Sequence, residues 1–190
     1  MGDPYTPTPT QPSTTEGQGL PPAVGLRAKD LLRIVFGLIF AIDAWLKWQP
    51  AFRSEYIGIL KTAAQGQPAW LHGWFHFWIT LVQPRADLFA YATAVIETLI
   101  AAALILGLAR KFAYVSAALF MLLVWATAEG FGGPYTAGAT DIGTAVIYAV
   151  VLLALLALDH ESAPSRFSLD RLVERRLSWW HHVAEARWRH

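Results

Sequence analysis

The segment that decides the fold is residues 86–108, which read ADLFAYATAVIETLIAAALILGL. Its length suits a membrane, because about 20 helical residues cross a hydrocarbon core about 30 Å thick. Residues 28–48, 112–128 and 139–158 form three further apolar segments of similar length. The chain is 55% hydrophobic and only 15% charged, whereas soluble domains average about 25% charged residues. The sequence therefore predicts an all-α integral membrane protein, an up-down bundle of four transmembrane helices.

The two ends of the chain differ in composition from the apolar segments. Residues 1–24 are rich in Pro, Thr and Gln without an apolar period, which is typical of a disordered tail. The transmembrane domain is predicted over residues 25–160, and a basic amphipathic tail helix over residues 161–190. Residues 168–188 place leucines and tryptophans opposite arginines, which favours an interfacial helix, with a solvated basic helix as the alternative. A second amphipathic helix is predicted over residues 50–64.

Basic residues predict the orientation of the chain. Arg110 and Lys111 form the short link between the second and third spans. Lys29 and two arginines flank the start of the first span, and four arginines within residues 166–176 follow the fourth. The link at residues 129–140 has no Lys or Arg. By the positive-inside rule, the chain is a multi-pass protein of the plasma membrane with both termini in the cytoplasm. The lipid bilayer is then its main partner, and the net charge of +1 predicts no nucleic-acid partner.

Ionisable residues inside the spans are the first candidates for chemistry. Glu97 lies near the middle of the second span on a stripe with Ala90 and Ala94, so it should face the other helices. An ionised carboxyl at that depth costs several kcal/mol, so Glu97 is expected to be paired or protonated. The candidate partners are Thr144 and Tyr148 on the fourth span and the Asp43–Lys47 pair on the first span. Glu97 is either a proton-transfer group or a structural interhelical hydrogen bond.

The first span carries three further charges. Asp43 and Lys47 are one helical turn apart, and this spacing predicts that they form an ion pair. Lys47 is expected to lie several residues beyond the depth of Glu97, so a direct contact between these two side chains is not expected. Arg33 lies near the other end of the span and is expected to extend to the lipid headgroups.

A glycine-rich link joins the third and fourth spans, where residues 125–144 read WATAEGFGGPYTAGATDIGT. Thr140 or Asp141 can cap the start of the fourth helix. One interpretation of this link is a simple turn with a cap. The other is a polar lid over the outer mouth of the bundle, in which Glu129 and Asp141 lie beside the charged residues of the first span.

An aromatic segment, residues 69–78, reads AWLHGWFHFW and is too short to cross a membrane. Its tryptophans predict a position at the outer interface. His72 and His76 are one helical turn apart and are weak candidates for binding haem iron or copper. No third ligand is evident from the spacing, so no metal site is assigned.

The order of three motifs resembles a known family. Residues 33–40 read RIVFGLIF and precede Asp43 and Lys47, and Glu97 is followed by an alanine-rich run and then by the glycine-rich link. Along residues 31–159 this arrangement resembles the DoxX/DoxD family of small four-span membrane proteins, and the link resembles the outer loop of the DoxD-like branch.

The resemblance implies an integral membrane protein. In the best-understood branch of the family, the member is a subunit of thiosulfate:quinone oxidoreductase, which passes electrons from thiosulfate to membrane quinone. This chain has no cysteine and shows no fingerprint of a covalently bound cofactor. An electron carrier would therefore be the quinone itself or a group supplied by a partner.

Two functions follow as hypotheses. In the first, the chain is a quinone-interacting redox subunit that passes electrons from an outer-face donor such as thiosulfate to quinone, and Glu97, Asp43 and Lys47 are the catalytic candidates. In the second, it is a non-catalytic membrane anchor or assembly factor for a membrane or outer-face protein partner. A homo-oligomer is compatible with both. The candidate substrate-binding residues are Arg33, Trp125, Glu129, Tyr135, Asp141 and Tyr148.

Overall fold

The structure is a computed structural model that describes residues 22–135 and 141–161, together with 168–170, 173 and 180. The regular secondary structure of these residues is all helical, without a strand. Helices satisfy their own backbone N–H and C=O groups, which suits a chain this apolar. The helices are α1 (Pro22–Lys47), α2 (Pro50–Ala63), α3 (His72–Val82), α4 (Ala86–Leu106), α5 (Arg110–Thr127) and α6 (Thr144–Glu161). Short 3₁₀ turns occupy Ala69–Leu71, Gln83–Arg85 and Gly130–Gly132.

Four of the helices share one core. Helix α1 packs along α4 and α5 packs along α6, while α4 also meets α5 and α1 also meets α6. Gly37 allows the close approach of α1 to α4, since a Cβ atom there would lie 2.8 Å from the side chain of Ile105. The larger buried residues at the centre are Phe36, Phe40, Ile100, Leu104, Tyr114, Met121, Leu152 and Leu155.

The link between α4 and α5 is short because glycine ends the first of these helices. Gly107 adopts a left-handed conformation at φ 64°, which stops α4 at low cost. The chain turns over residues 107–109, so α4 and α5 run antiparallel. Helix α2 begins with Pro50 at its first position and closely matches the amphipathic helix predicted over residues 50–64, which confirms that prediction.

Two helical stretches in the described part of the chain are long and apolar enough to cross a membrane, residues 69–106 and residues 110–127. A shorter apolar helix covers Thr144–His160. Helix α1 has 26 residues and is about 39 Å long, but it carries several charged side chains. The all-helical prediction is confirmed, and the crossing of all four helices stays a prediction.

The aromatic segment at residues 69–78 is not separate from the second span. It enters α3, which continues through the turn Gln83–Arg85 into α4. At the N-terminal side, α1 begins at Pro22, just inside the tail predicted over residues 1–24. Most of that tail, Thr140, and most of the tail helix predicted over residues 161–190 lie outside the described residues.

Candidate functional site

A cavity of about 330 Å³ lies between α2, α3, α4 and α5 at the end of α1. It forms because α1 ends at Lys47, level with Glu97, so that α2 rather than α1 covers the first half of α4. The Tyr56 hydroxyl of α2 lies 3.2 Å from the Thr93 hydroxyl of α4 and holds these helices together. The apolar lining residues include Phe52, Ile59, Leu60, Val82, Phe89, Ile96, Phe120, Leu123 and Val124.

One ion pair stands in the wall of this cavity. Lys47 Nζ lies 3.6 Å from Glu97 Oε2, and the side chains are 27% and 4% exposed. This distance is too long for a direct hydrogen bond. The ammonium of Lys47 also lies 5.2 Å from the centre of the Phe52 ring, within range of a cation–π contact. The cavity therefore combines apolar walls with one loosely held pair of opposite charges.

The predicted ion pair between Asp43 and Lys47 is wrong, because Lys47 pairs with Glu97 instead. The reason is how far α1 extends along α4. Trp48 Nε1 donates to Thr98 Oγ1 at 3.1 Å, which sets the last turn of α1 level with the middle of α4. Asp43 is half-buried and lies within electrostatic range of Glu97.

Tyr148 connects the cavity region to the loop between α5 and α6. Its ring packs on Phe36 and Phe40 in the core, at centroid distances of 5.1 and 5.5 Å. It lies within electrostatic range of Asp43, Glu97 and Glu129. The structure thus brings together, around one phenol, three carboxyl groups that are far apart in the sequence.

The loop that follows α5 is built mainly from caps and turns. Both carboxylate oxygens of Glu129 accept from the Ala145 N–H, at 3.1 and 3.0 Å, and so cap the first turn of α6. Asp141 Oδ1 accepts from the Gly143 N–H at 2.7 Å, just before that helix. Glu129 is therefore the cap, where the sequence favoured Thr140 or Asp141, and Asp141 forms a local turn.

Two aromatic candidates also hold this loop in place. Trp125 Nε1 donates to the Ile142 carbonyl at 2.7 Å. The Tyr135 hydroxyl donates to the Phe131 carbonyl, and the rest of the Tyr135 side chain is exposed. These bonds favour the simple interpretation of the link as a capped turn, and Glu129 of this link lies within electrostatic range of Tyr148.

Arg33 lies away from the cavity, and its predicted extension to headgroups is wrong. It is 1% exposed and donates to the carbonyls of Leu104 and Ile105, the latter at 3.2 Å, in the last turn of α4. A cation at that position complements the negative end of the helix dipole. The residues near Arg33 thus form a second polar region at the opposite end of α4.

We name this region the tail-end cluster and define it as Lys29, Arg110, Asp159 and Asp170. Asp159 Oδ1 accepts from Lys29 Nζ and from Arg110 Nη1, each at 2.8 Å. Arg110 Nε donates to Asp170 Oδ2 at 3.0 Å. All four residues are buried.

The sequence analysis missed this cluster. It used Lys29 and Arg110 only as signs of orientation, and it placed the region of Asp170 in a peripheral helix. Asp170 Oδ1 instead accepts from the Ala109 N–H at 2.7 Å, and from Trp180 Nε1 at 2.8 Å. Trp180 was predicted on the apolar stripe of the tail helix, and its bond to Asp170 is a contact that this prediction did not include. The sequence feature that could have indicated this cluster is Asp170, an acidic residue in an arginine-rich segment.

Both histidines of the aromatic segment, His72 and His76, are exposed. His72 Nε2 lies 3.0 Å from the Gln67 carbonyl. Over the described ranges, no group of three or more His, Cys, Asp or Glu side chains is placed to hold a metal ion.

Comparison with known proteins gives one match. The sequence model of the DoxX family matches residues 28–130, which is more than half of the chain. No curated protein matches the chain, and no solved structure matches it. The matched region contains α2 to α5 and most of α1, so it includes Lys47, Glu97 and the whole lining of the cavity.

Proposed function

The chain belongs to the DoxX family of membrane proteins, and from this we propose that it is a quinone-interacting redox subunit that passes electrons from an outer-face donor such as thiosulfate to membrane quinone. The observation that carries the proposal is the Lys47–Glu97 pair in the wall of an apolar cavity. The family resemblance is confirmed, while the DoxD-like branch with its thiosulfate donor belongs to the proposal.

The cavity suits a flat apolar ring with a few polar atoms. Ligand pockets of about 300 to 1,000 Å³ with mostly apolar walls are typical for small molecules. A quinone takes up two electrons from the donor and two protons to become a quinol. The Lys47 ammonium can stabilise negative charge on a quinone oxygen during this reduction. The Glu97 carboxyl beside it can transfer a proton to the same oxygen.

Protons can reach Glu97 through neighbouring polar groups. Asp43 and Tyr148 lie within electrostatic range of Glu97 and of each other. Glu129 lies within the same range of Tyr148 at the loop after α5. We assign Asp43 and Tyr148 to this proton supply, with Trp125 as a wall of the loop.

We assign the oxidation of the donor to a partner protein at the outer face. Glu129 and Asp141 already accept backbone N–H groups, and their charge repels an anion such as thiosulfate. Oxidation of the donor on a partner agrees with the absence of cysteine from this chain. The orientation in this proposal is the one that the basic residues predict, with four spans, both termini cytoplasmic and the loop after α5 outside.

Replacement of Glu97 by Gln tests the proposal. The assay uses membranes from cells that express the full chain, with thiosulfate as donor and reduction of a short-chain benzoquinone followed by absorbance. We expect Glu97→Gln to accumulate and fold normally, because glutamine has a similar shape, and to lower quinone reduction about 100-fold or more. Glu55→Gln, at an exposed position on α2, is the control and should keep its activity. Full activity of Glu97→Gln would contradict the proposal.

A second candidate function is a non-catalytic anchor or assembly factor. It is favoured by exposed aromatic residues outside the bundle core, where Trp70 is 79% exposed and Tyr135 is 65% exposed. Exposed aromatic side chains are enriched in docking surfaces. Recovery of the chain in a stable complex, with quinone reduction unaffected by its deletion, would favour this function over the redox role.

A further inference from the structure

The geometry points to Trp78 as a ligand-binding residue that holds one oxygen of a two-oxygen ring, while the Lys47–Glu97 pair meets the other oxygen. This inference rests on the proposed function and identifies how the ring is held. Trp78 lies on α3 and Glu97 lies on α4, and both line the cavity.

The first observation is a pair of buried polar atoms without hydrogen bonds. Trp78 Nε1 and Glu97 Oε2 are both buried, and neither has a hydrogen-bond partner among the described residues. Glu97 as a whole is only 3% exposed. Buried polar groups in folded proteins are almost always paired, so each such exception calls for a specific explanation. One atom is a donor and the other an acceptor, and both belong to residues that line the same cavity.

The second observation is that neighbouring polar groups are paired. Tyr56 and Thr93 lie 3.2 Å apart and pair with each other. The Thr127 hydroxyl donates to the Leu123 carbonyl at 2.7 Å. These side chains therefore need no ligand, which leaves Trp78 and the Lys47–Glu97 pair as the polar contacts offered to one.

Three other indoles in this half of the molecule donate hydrogen bonds that hold the structure together. Trp74 Nε1, one turn earlier on α3, donates to the Ala126 carbonyl at 2.8 Å. Trp48 and Trp125 donate to Thr98 and to the Ile142 carbonyl. Trp78 differs from all three, because its N–H is buried but makes no such bond.

The chemistry of the two contacts defines the ligand. An indole N–H is only a donor, so it requires an acceptor such as a carbonyl or hydroxyl oxygen. A quinone and its quinol both present such an oxygen, so Trp78 can hold either redox state. At the other contact, a quinone carbonyl can accept from Lys47, and a quinol hydroxyl can donate to Glu97. Trp78 therefore anchors the ring in both states, and the Lys47–Glu97 pair distinguishes between them.

The test compares two tryptophan variants of the full chain in lipid nanodiscs. Binding of a short-chain benzoquinone and of its quinol is measured by calorimetry. Trp78→Phe keeps an aromatic ring and removes the N–H, and we expect it to weaken both ligands about tenfold and equally. Trp74→Phe is the matched control, and it should leave both affinities unchanged. The melting temperature of each variant checks that the fold is intact.

A kinetic readout separates binding from chemistry. Uniform loss of binding raises KM and leaves kcat unchanged, which is the result expected for Trp78→Phe, whereas Glu97→Gln should lower kcat. Unchanged binding in Trp78→Phe together with lost activity in Glu97→Gln would overturn this inference and leave the proposed function standing. If binding depends on Trp78 but no quinone reduction is detected, the inference is supported and the redox role is excluded. If neither form binds the wild-type chain, both are overturned.

Discussion

The tail-end cluster and the Lys47–Glu97 pair both place opposite charges inside an apolar fold, but they do so in different ways. In the tail-end cluster, the three ion pairs have N–O distances of 2.8 to 3.0 Å. In the cavity wall, the single pair lies at 3.6 Å and Glu97 Oε2 has no hydrogen bond. No buried side-chain N or O atom of the tail-end cluster lacks a hydrogen-bond partner, whereas Glu97 Oε2 in the cavity wall does.

This difference indicates different roles. A buried polar network whose groups are all satisfied holds helices in one arrangement. The tail-end cluster joins α1, α5, α6 and the segment at Asp170 in this way. A loosely held pair beside a cavity keeps part of its bonding capacity for another molecule. We therefore assign the tail-end cluster to stability and the Lys47–Glu97 pair to ligand binding.

The largest effect is expected from breaking the tail-end cluster. Asp159→Asn removes the buried carboxylate that accepts from Lys29 and from Arg110, and breaking a buried ion pair typically costs about 3 to 5 kcal/mol. Denaturant unfolding of the full chain in detergent measures this loss. Arg85→Met, at an exposed position, is the control and should change stability by about 0.5 kcal/mol or less. A loss as small as that of the control would show that the cluster does not stabilise the fold.

An intermediate effect is expected at the Lys47–Glu97 pair, and the two single substitutions should differ in size. Lys47→Met leaves the nearly buried Glu97 without its cation and should destabilise the chain by about 1 to 3 kcal/mol. Glu97→Gln leaves only the partly exposed Lys47 unpaired, so its effect should be smaller. The same unfolding experiment measures both variants and the double variant. Equal and additive losses would indicate that the two side chains do not interact.

The smallest effect is expected at the loop after α5. Glu129→Gln keeps an acceptor for the Ala145 N–H but removes the charge that complements the start of α6, so we expect a loss of about 0.3 to 1 kcal/mol. Glu129→Ala removes the cap itself and should cost about 1 kcal/mol or slightly more. Thermal unfolding distinguishes the two variants. A loss above about 3 kcal/mol for Glu129→Gln would mean that its charge is part of the core, as in the tail-end cluster.

The sequence by itself determined the local structure and the direction of the main side chains. The four long apolar segments predicted helices at the positions of α1, α4, α5 and α6, and Pro50 marked the start of α2. The stripe of Ala90 and Ala94 predicted that Glu97 faces the interior, and Glu97 is 3% exposed. These predictions succeed because the period of 3.6 residues decides which residues share a face of one helix.

Only the tertiary structure decided which charges meet. Lys47 pairs with Glu97 instead of Asp43, and Asp170 is buried against Arg110, a contact that the sequence pattern did not predict. Both outcomes depend on how far each helix extends relative to its neighbours, and one helical turn, about 5.4 Å, is enough to replace one ion-pair partner by another. Periodicity within one helix carries no information on this shift, because the shift is set by packing between helices, such as the contact of Gly37 with α4. The unpaired N–H of Trp78 likewise becomes visible only when all the walls of the cavity are in place.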